Sequence, residues 1–408
     1  MDRRAFLTRS VALGCSLAAS PLVTPVTFAA TPGDKRLVVI LLRGGMDGMG
    51  AIAPYGDRDF AALRGDLPMG GDNGYSDLDG FYAAHPALGP LAPLWRDGHL
   101  AAVHAVSTPY RDKRSHFDGQ DILEAGIADL SSGHTRDGWL NRMLQHMPGI
   151  GTETAYAVGN DPLMVLDGSA PITRWSPEAD LVLSPQALLL AELVMRDDPA
   201  MAKALAEAFQ LAGSDGDAIA MEGAGAGEMM DMMQADMKAT RQSGAESRIA
   251  EFVAKRLKGD ARVAAFSLNG WDTHANQDRS LTRALSTLSD TLLKLRQEMG
   301  GPVWKQTAVV AMTEFGRTAR LNGTRGTDHG TGGAMILAGG AIRGGRVFGA
   351  WPGLAEADLY ARRDLMPTAD VRAYAGWLMH GLFGIPKQAI ERDIFPGVEL
   401  GSDPGLLL

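Results

Sequence analysis

Three stretches of this chain share a form: a short apolar run closed by polar residues that include an acid. Arg43-Gly44-Gly45-Met46-Asp47-Gly48 closes the first, Asn269-Gly270-Trp271-Asp272-Thr273-His274 the second, and Thr313-Glu314-Phe315-Gly316-Arg317 the third. A fourth, Gly326-Thr327-Asp328-His329-Gly330-Thr331-Gly332-Gly333, places an acid–imidazole pair in a glycine-rich loop just ahead of the apolar run at Ala334. In an open parallel sheet, ligands gather outside the carboxyl ends of the strands, so these acids converge on one edge if the runs are neighbouring strands. Converging carboxylates and imidazoles repel one another and lose hydration, which is tolerable mainly when cations neutralise them. Asp, Glu and His without thiolate suit zinc, manganese or another divalent ion, and the number of donors is enough for two metal ions. Each stretch also has a plainer explanation by itself, since Asp in Met-Asp-Gly is a common turn residue and Asp-Thr-His can cap a helix.

A metal pair needs a nucleophile. Arg111-Asp112-Lys113-Arg114-Ser115-His116-Phe117-Asp118 follows the apolar run ending at Val106 and opens a helical pattern. Ser115 at the first turn of that helix would have its alkoxide stabilised by the helix dipole and a nearby cation, and Arg111 and Arg114 would hold an oxyanion. Ser115 with Asp118 is equally a capping pair. Ser107, in Ser107-Thr108-Pro109-Tyr110-Arg111, is a rival nucleophile whose Ser-x-Pro-x-Arg spacing is similar to the sulfatase activation motif.

The elements that must position these residues are legible as apolar, β-branched runs at 35–42, 100–106, 262–268, 307–312 and 334–338, too continuous to have a solvent face. Helical patterns lie between and around them at 86–97, 115–125, 137–147, 184–211, 228–258, 279–299 and 368–383. Buried strands alternating with amphipathic helices imply an α/β fold: a mostly parallel central sheet with helices on both faces and a helical insertion around 184–258.

The chain has 408 residues, 45% hydrophobic and 21% charged, which excludes disorder and coiled coil. A formal net charge of −9 argues against nucleic acid or an anionic membrane surface as the main partner. Arg3-Arg4 ahead of Phe6-Leu7, a mildly apolar stretch from Val11 to Ala19, and the small residues near Ala29 read as a twin-arginine export signal over 1–30. That reading makes the twin-arginine translocase a partner, leaves a single domain over 31–408, and places the protein in the periplasm or outside the cell. The apolar stretch is short of the roughly 18–20 residues that span a bilayer, so no stable membrane insertion is expected. Cys15, the one cysteine, falls in that leader, which leaves the mature chain without disulfides. Met229, Met230, Met232, Met233 and Met237 have two readings, soft ligands for copper(I) or a flexible apolar helix face; their placement mostly on one side favours the second.

Taken together, the leader, Leu42-Arg43-Gly44-Gly45-Met46-Asp47-Gly48, Arg114-Ser115-His116-Phe117-Asp118-Gly119-Gln120-Asp121, Gly270-Trp271-Asp272-Thr273-His274, Thr313-Glu314-Phe315-Gly316-Arg317-Thr318 and Gly326–Gly333 resemble the exported bacterial family known as domain of unknown function 1501. That family lies in the alkaline phosphatase and sulfatase superfamily. The resemblance implies an alkaline-phosphatase-like fold, a two-metal site and hydrolysis of phosphate or sulfate esters, with a catalytically silent metal-binding recognition protein as the alternative. By the same resemblance Asp47 is a metal ligand, Ser115 the nucleophile, Asp272 and His274 one metal cluster, Glu314 the acid where relatives carry an Asp-His pair, and His329 the late metal histidine; in the ester hydrolysis this implies, Arg114 or Arg317 would clamp the non-bridging oxygens of the anionic substrate. Phe315 stands where that imidazole is expected, so Asp328 or His116 is left to compensate.

Overall fold

The computed structural model describes residues 34–71, 74–111, 113–130, 137–177 and 245–408. The expected leader, the Met-rich segment and residues 184–244 of the expected insertion lie outside them.

Every residue of β1 (Arg36–Leu42) is buried, as a run with no polar alternation requires. Its side chains alternate between two cores. Leu37, Val39 and Leu41 face one with helices α2 (Trp139–Gln145) and α5 (Val371–Phe383), while Val38, Ile40 and Leu42 face the other with α3 (Ala245–Lys258) and α4 (Gln277–Trp304). Among the described residues, nine strands form the main sheet. Besides β1 they are β2 (Leu100–Ser107), β3 (Ala155–Val158), β4 (Thr173–Trp175), β5 (Val263–Leu268), β6 (Thr307–Met312), β7 (Gly333–Ala338), β8 (Arg346–Phe348) and β9 (Ala369–Asp370). The order is β8-β2-β7-β6-β1-β5-β3-β4, with β9 also pairing β2. Helix α1 (His116–Ala125) opens at Ser115 and ends at Gly126, which adopts a left-handed conformation with φ +64°.

The sheet is largely parallel but mixed. β1 pairs β5 and β6 in parallel, whereas β7 runs antiparallel to both β6 and β2. This reversal decides where the site lies. Had β7 run parallel like its neighbours, the glycine-rich loop before it would open on the far edge, away from Asp272 and Glu314. Reversed, its amino end meets the carboxyl ends of β1, β2, β5 and β6. Where β7 pairs β2 the register slips between Gly333 and Ala334, leaving Ala105, at φ +53°, opposite no residue of β7.

The residue before that bulge gives the fold an acid sensitivity. His104 is buried, its Nδ1 accepting from the Ala105 N–H (2.9 Å), so Nε2 carries the proton and donates to the Ile52 carbonyl (2.9 Å). Burial pushes His104 down to about 4, and His85 likewise to about 4. Between the ordinary histidine value of about 6.5 and 4, the unfolded chain therefore binds more protons than the folded one, and stability falls as pH is lowered. Urea titrations should show most of the loss from these two groups within that window, on the order of 3 kcal/mol for each by pH 4. His104→Gln should flatten the profile; an unchanged slope would refute the assignment.

Candidate metal centre

The strand ends approach so closely that backbone shape matters. Gly44 has φ +123°, and a Cβ there would stand 2.6 Å from the Asp272 backbone nitrogen, so only glycine lets the β1 and β5 loops touch. Across this contact lies Arg317, 1% exposed. Its guanidinium donates to the carbonyls of Gly45 (2.7 Å), Trp271 (3.1 Å), Thr327 (3.2 Å) and Gly44, and to Asp272 Oδ1 (2.6 Å). The sequence pointed to Arg317 as a clamp for substrate oxygens. Every one of its nitrogens is instead committed inside the protein, so it ties three loops together and orients Asp272.

Around Asp272 stand three imidazoles. The Nε2 atoms of His274, His116 and His329 lie 3.1, 3.4 and 3.4 Å from Asp272 Oδ1, and the Nε2 atoms of His274 and His329 are 2.8 Å apart. Each ring is held from behind at Nδ1: His116 by Glu314 Oε1 (2.8 Å), His329 by the Arg114 carbonyl (2.8 Å) and His274 by Asp328 Oδ1 (3.3 Å). A carbonyl or an ionised carboxylate only accepts, so each Nδ1 carries a hydrogen. In the neutral rings the three Nε2 atoms then present bare lone pairs to the Asp272 carboxylate, and those of His274 and His329 to each other. Such an arrangement demands a positive charge at its centre, a proton or a metal ion.

The donors fit a metal ion. Histidine rings fixed at one nitrogen by carboxylates or carbonyls while the other converges are the usual support of a metal site. At zinc–ligand distances of about 2.0–2.1 Å, the edge of a tetrahedron is about 3.3–3.4 Å, which is the separation of Asp272 from His116 and His329. Donor atoms of His116, Asp272 and His329 all lie within 4.8 Å of one another, and His116 Nε2 is buried without a hydrogen-bond partner. The electrostatics agree. The hydrogen bond to Glu314 raises the pKa of His116, drawing a proton there when no metal competes. Burial works against charge on Asp272 and Glu314, yet Arg317 holds the first, and His116 with backbone N–H groups the second, below the ordinary carboxylate range. Burial lowers the pKa of His329.

The expected residues thus divide. Asp272, His274 and His329 come together, while Glu314 and Asp328 stand behind them, each gripping a ring. Glu314 is fully buried and also accepts from the Gly44 N–H (2.9 Å). Asp47, expected among the ligands, is not brought into the group: buried, its carboxylate is taken by Arg64 (2.5 and 3.0 Å) and Gln277 Nε2 (2.6 Å). A guanidinium already meets its charge. Among the described residues one donor group of this kind is found, where two ions were expected. Arg114 is exposed, with φ +54°, and supplies its carbonyl to His329. Ser115 caps α1, its Oγ accepting from the Asp118 N–H at 3.4 Å, and its own N–H donates to the Tyr110 hydroxyl (2.6 Å). Ser107 is buried and donates to the Thr108 carbonyl (2.9 Å).

As a donor His116 stands out too little from its sequence context, and Arg64 and Gln277 are not legible there at all. The signal for His116 was its place directly after the capping serine. No signal pointed to Arg64, because its partner is met only through the tertiary fold.

The family described as "Protein of unknown function (DUF1501)" matches residues 102–392. No curated protein matches the chain. Among solved structures it is similar to the lipoteichoic acid synthase LtaP from Listeria monocytogenes, with 9% identity over 93% of this chain and 77% of that one and a TM-score of 0.38. It is also similar to the C-terminal periplasmic domain of EcEptC from Escherichia coli in complex with Zn, with 10% identity over 76% of this chain and 74% of that one and a TM-score of 0.33.

Proposed function

The chain belongs to the DUF1501 family, and we propose that it is a metal-dependent hydrolase of phosphate or sulfate esters acting outside the cytoplasm. The observation that carries this reading is the set of three imidazoles, each anchored at Nδ1, whose Nε2 atoms converge on Asp272. Asp272, His116, His274 and His329 would hold the ion, with zinc or manganese suited to these donors. The bound ion supplies Lewis-acid polarisation of an ester oxygen. Ser115 stands one residue before His116 and opens α1, where the helix dipole favours an anionic oxygen. Its Oγ would bond to phosphorus or sulfur as the ester alcohol departs, and water would then split the serine ester, restoring the hydroxyl and releasing the inorganic anion. Exposed Arg114 would offer its guanidinium to the oxygens of the anionic substrate.

A panel of phosphomonoesters, phosphodiesters and sulfate esters, offered to the zinc- or manganese-loaded protein, tests the reading; turnover of none of them with metal bound would overturn it. The capping bond of Ser115 favours the alternative, a silent metal-binding recognition protein, and substitution separates the two. We expect Ser115→Ala to lose several orders of magnitude in turnover and about 1 kcal/mol of stability. Ser115→Asn should restore the cap without restoring turnover, since an amide cannot form the covalent ester. Wild-type turnover in the alanine variant would remove Ser115 from the mechanism.

The extracytoplasmic placement rests on Arg3-Arg4. Lysine at both positions should leave the precursor in the cytoplasm, and unchanged export would count against the twin-arginine route. No helix among the described residues is long and apolar enough to cross a membrane.

A further inference from the structure

Behind the donor group the two loops that carry it are joined by one buried side chain. Gln277, at the first turn of α4 and 6% exposed, accepts at Oε1 from the hydroxyls of both Thr273 (2.8 Å) and Thr327 (2.5 Å). Thr273 stands between Asp272 and His274, and Thr327 directly precedes Asp328 and His329. Thr273 and Thr327 are 1% and 0% exposed, so the amide oxygen meets both loops in a dry environment where such bonds are strong and costly to lose. The amide nitrogen is occupied too, donating to Asp47 Oδ2 (2.6 Å), whose other neighbour is Arg64. Arg64 in turn donates to the carbonyls of Thr318 (2.8 Å) and Ala319 (2.6 Å), on the chain that leaves Arg317. With both ends of the amide satisfied, its orientation is fixed.

We propose that Gln277 is a positioning residue that sets the separation of the Asp272–His274 loop from the Asp328–His329 loop, with the Asp47–Arg64 pair as its buried anchor. The inference rests on the metal reading above. Gln277 touches no donor atom; it acts through the two threonines. The Nε2 atoms of His274 and His329, one from each loop, sit 2.8 Å apart, so a shift of a few tenths of an ångström between the loops changes the fit of an ion directly. The buried acid at position 47, which the donor group leaves aside, acquires a role here: it accepts the amide N–H and leaves the amide oxygen free for the threonines.

The test is zinc affinity of the full chain, measured by competition with a chromogenic chelator, beside the melting temperature of the metal-free protein. Gln277→Met keeps the volume and loses all three hydrogen bonds; Thr273→Val and Thr327→Val keep the shape and lose one each. Zinc affinity should fall by about 10–100-fold in Gln277→Met, the range for a lost outer partner of a metal site, and each valine variant should fall by part of that. Adding either valine to Gln277→Met should cost little more, because the threonines act through the amide. A purely structural role would lower the melting temperature and leave zinc affinity unmoved. Wild-type affinity in a folded Gln277→Met protein would overturn the proposal, as would valine variants whose losses add fully to that of Gln277→Met. Should Gln277→Met not fold, the valine variants decide alone: wild-type affinity in both refutes the proposal. A wild-type chain that binds no zinc would fail the metal reading itself.

Discussion

Asp272→Ala should abolish tight cation binding and, with it, turnover. Asp272 Oδ1 is the atom on which three imidazoles and Arg317 close, so its removal deletes the one anionic donor of the group. Loss of an outer partner of a metal site costs about 10–100-fold in affinity, and loss of this donor should exceed about 100-fold. Zinc at a hundred times its dissociation constant should stabilise the wild-type protein by about 2.7 kcal/mol, a rise in melting temperature that the variant should not show. The pH dependence has a defined sign. The raised pKa of His116 means that a proton competes for Nε2, so zinc affinity should rise with pH through that titration and each binding event should release protons to the buffer. A variant that keeps wild-type zinc affinity would place the ion elsewhere.

Arg317→Leu should be the most destabilising substitution at the site. The change leaves Asp272 without its cation and removes the donor from the carbonyls of Gly44, Gly45, Trp271 and Thr327 at once. Arg317 is buried while the Asp272 side chain is half exposed, so the cost lies mainly in the buried carbonyls that lose their donor, about 1–3 kcal/mol for each left unsatisfied, a large fraction of the 5–15 kcal/mol that typically holds a domain together. Arg317→Lys should not rescue it, since one ammonium cannot reach carbonyls on three loops that a planar guanidinium spans. Urea midpoints measure both; a shift worth under about 1 kcal/mol in the leucine variant would show that the loops hold their places without it.

Composition and local pattern alone determined the strands 36–42, 100–107, 263–268, 307–312 and 333–338 within a residue or two, because continuous β-branched runs have no other comfortable place than the middle of a sheet. The short strands at 155–158, 173–175 and 346–348 carry only three or four residues each and gave no comparable pattern. The acids that follow strands were legible for the same reason, and Asp272, His274 and His329 meet as their placement implied. What each contributes was not legible. Asp47 and Asp272 look alike as acids after buried strands, yet Arg64, a helix away in sequence, neutralises one, and three imidazoles surround the other. Only the tertiary structure chose between them, because the charge facing a carboxylate is set by residues far along the chain. The same holds for β7. Its composition fixes that it is a buried strand but carries no sign of its direction, since direction is written in hydrogen bonds to neighbours. Its antiparallel course brings His329 to Asp272.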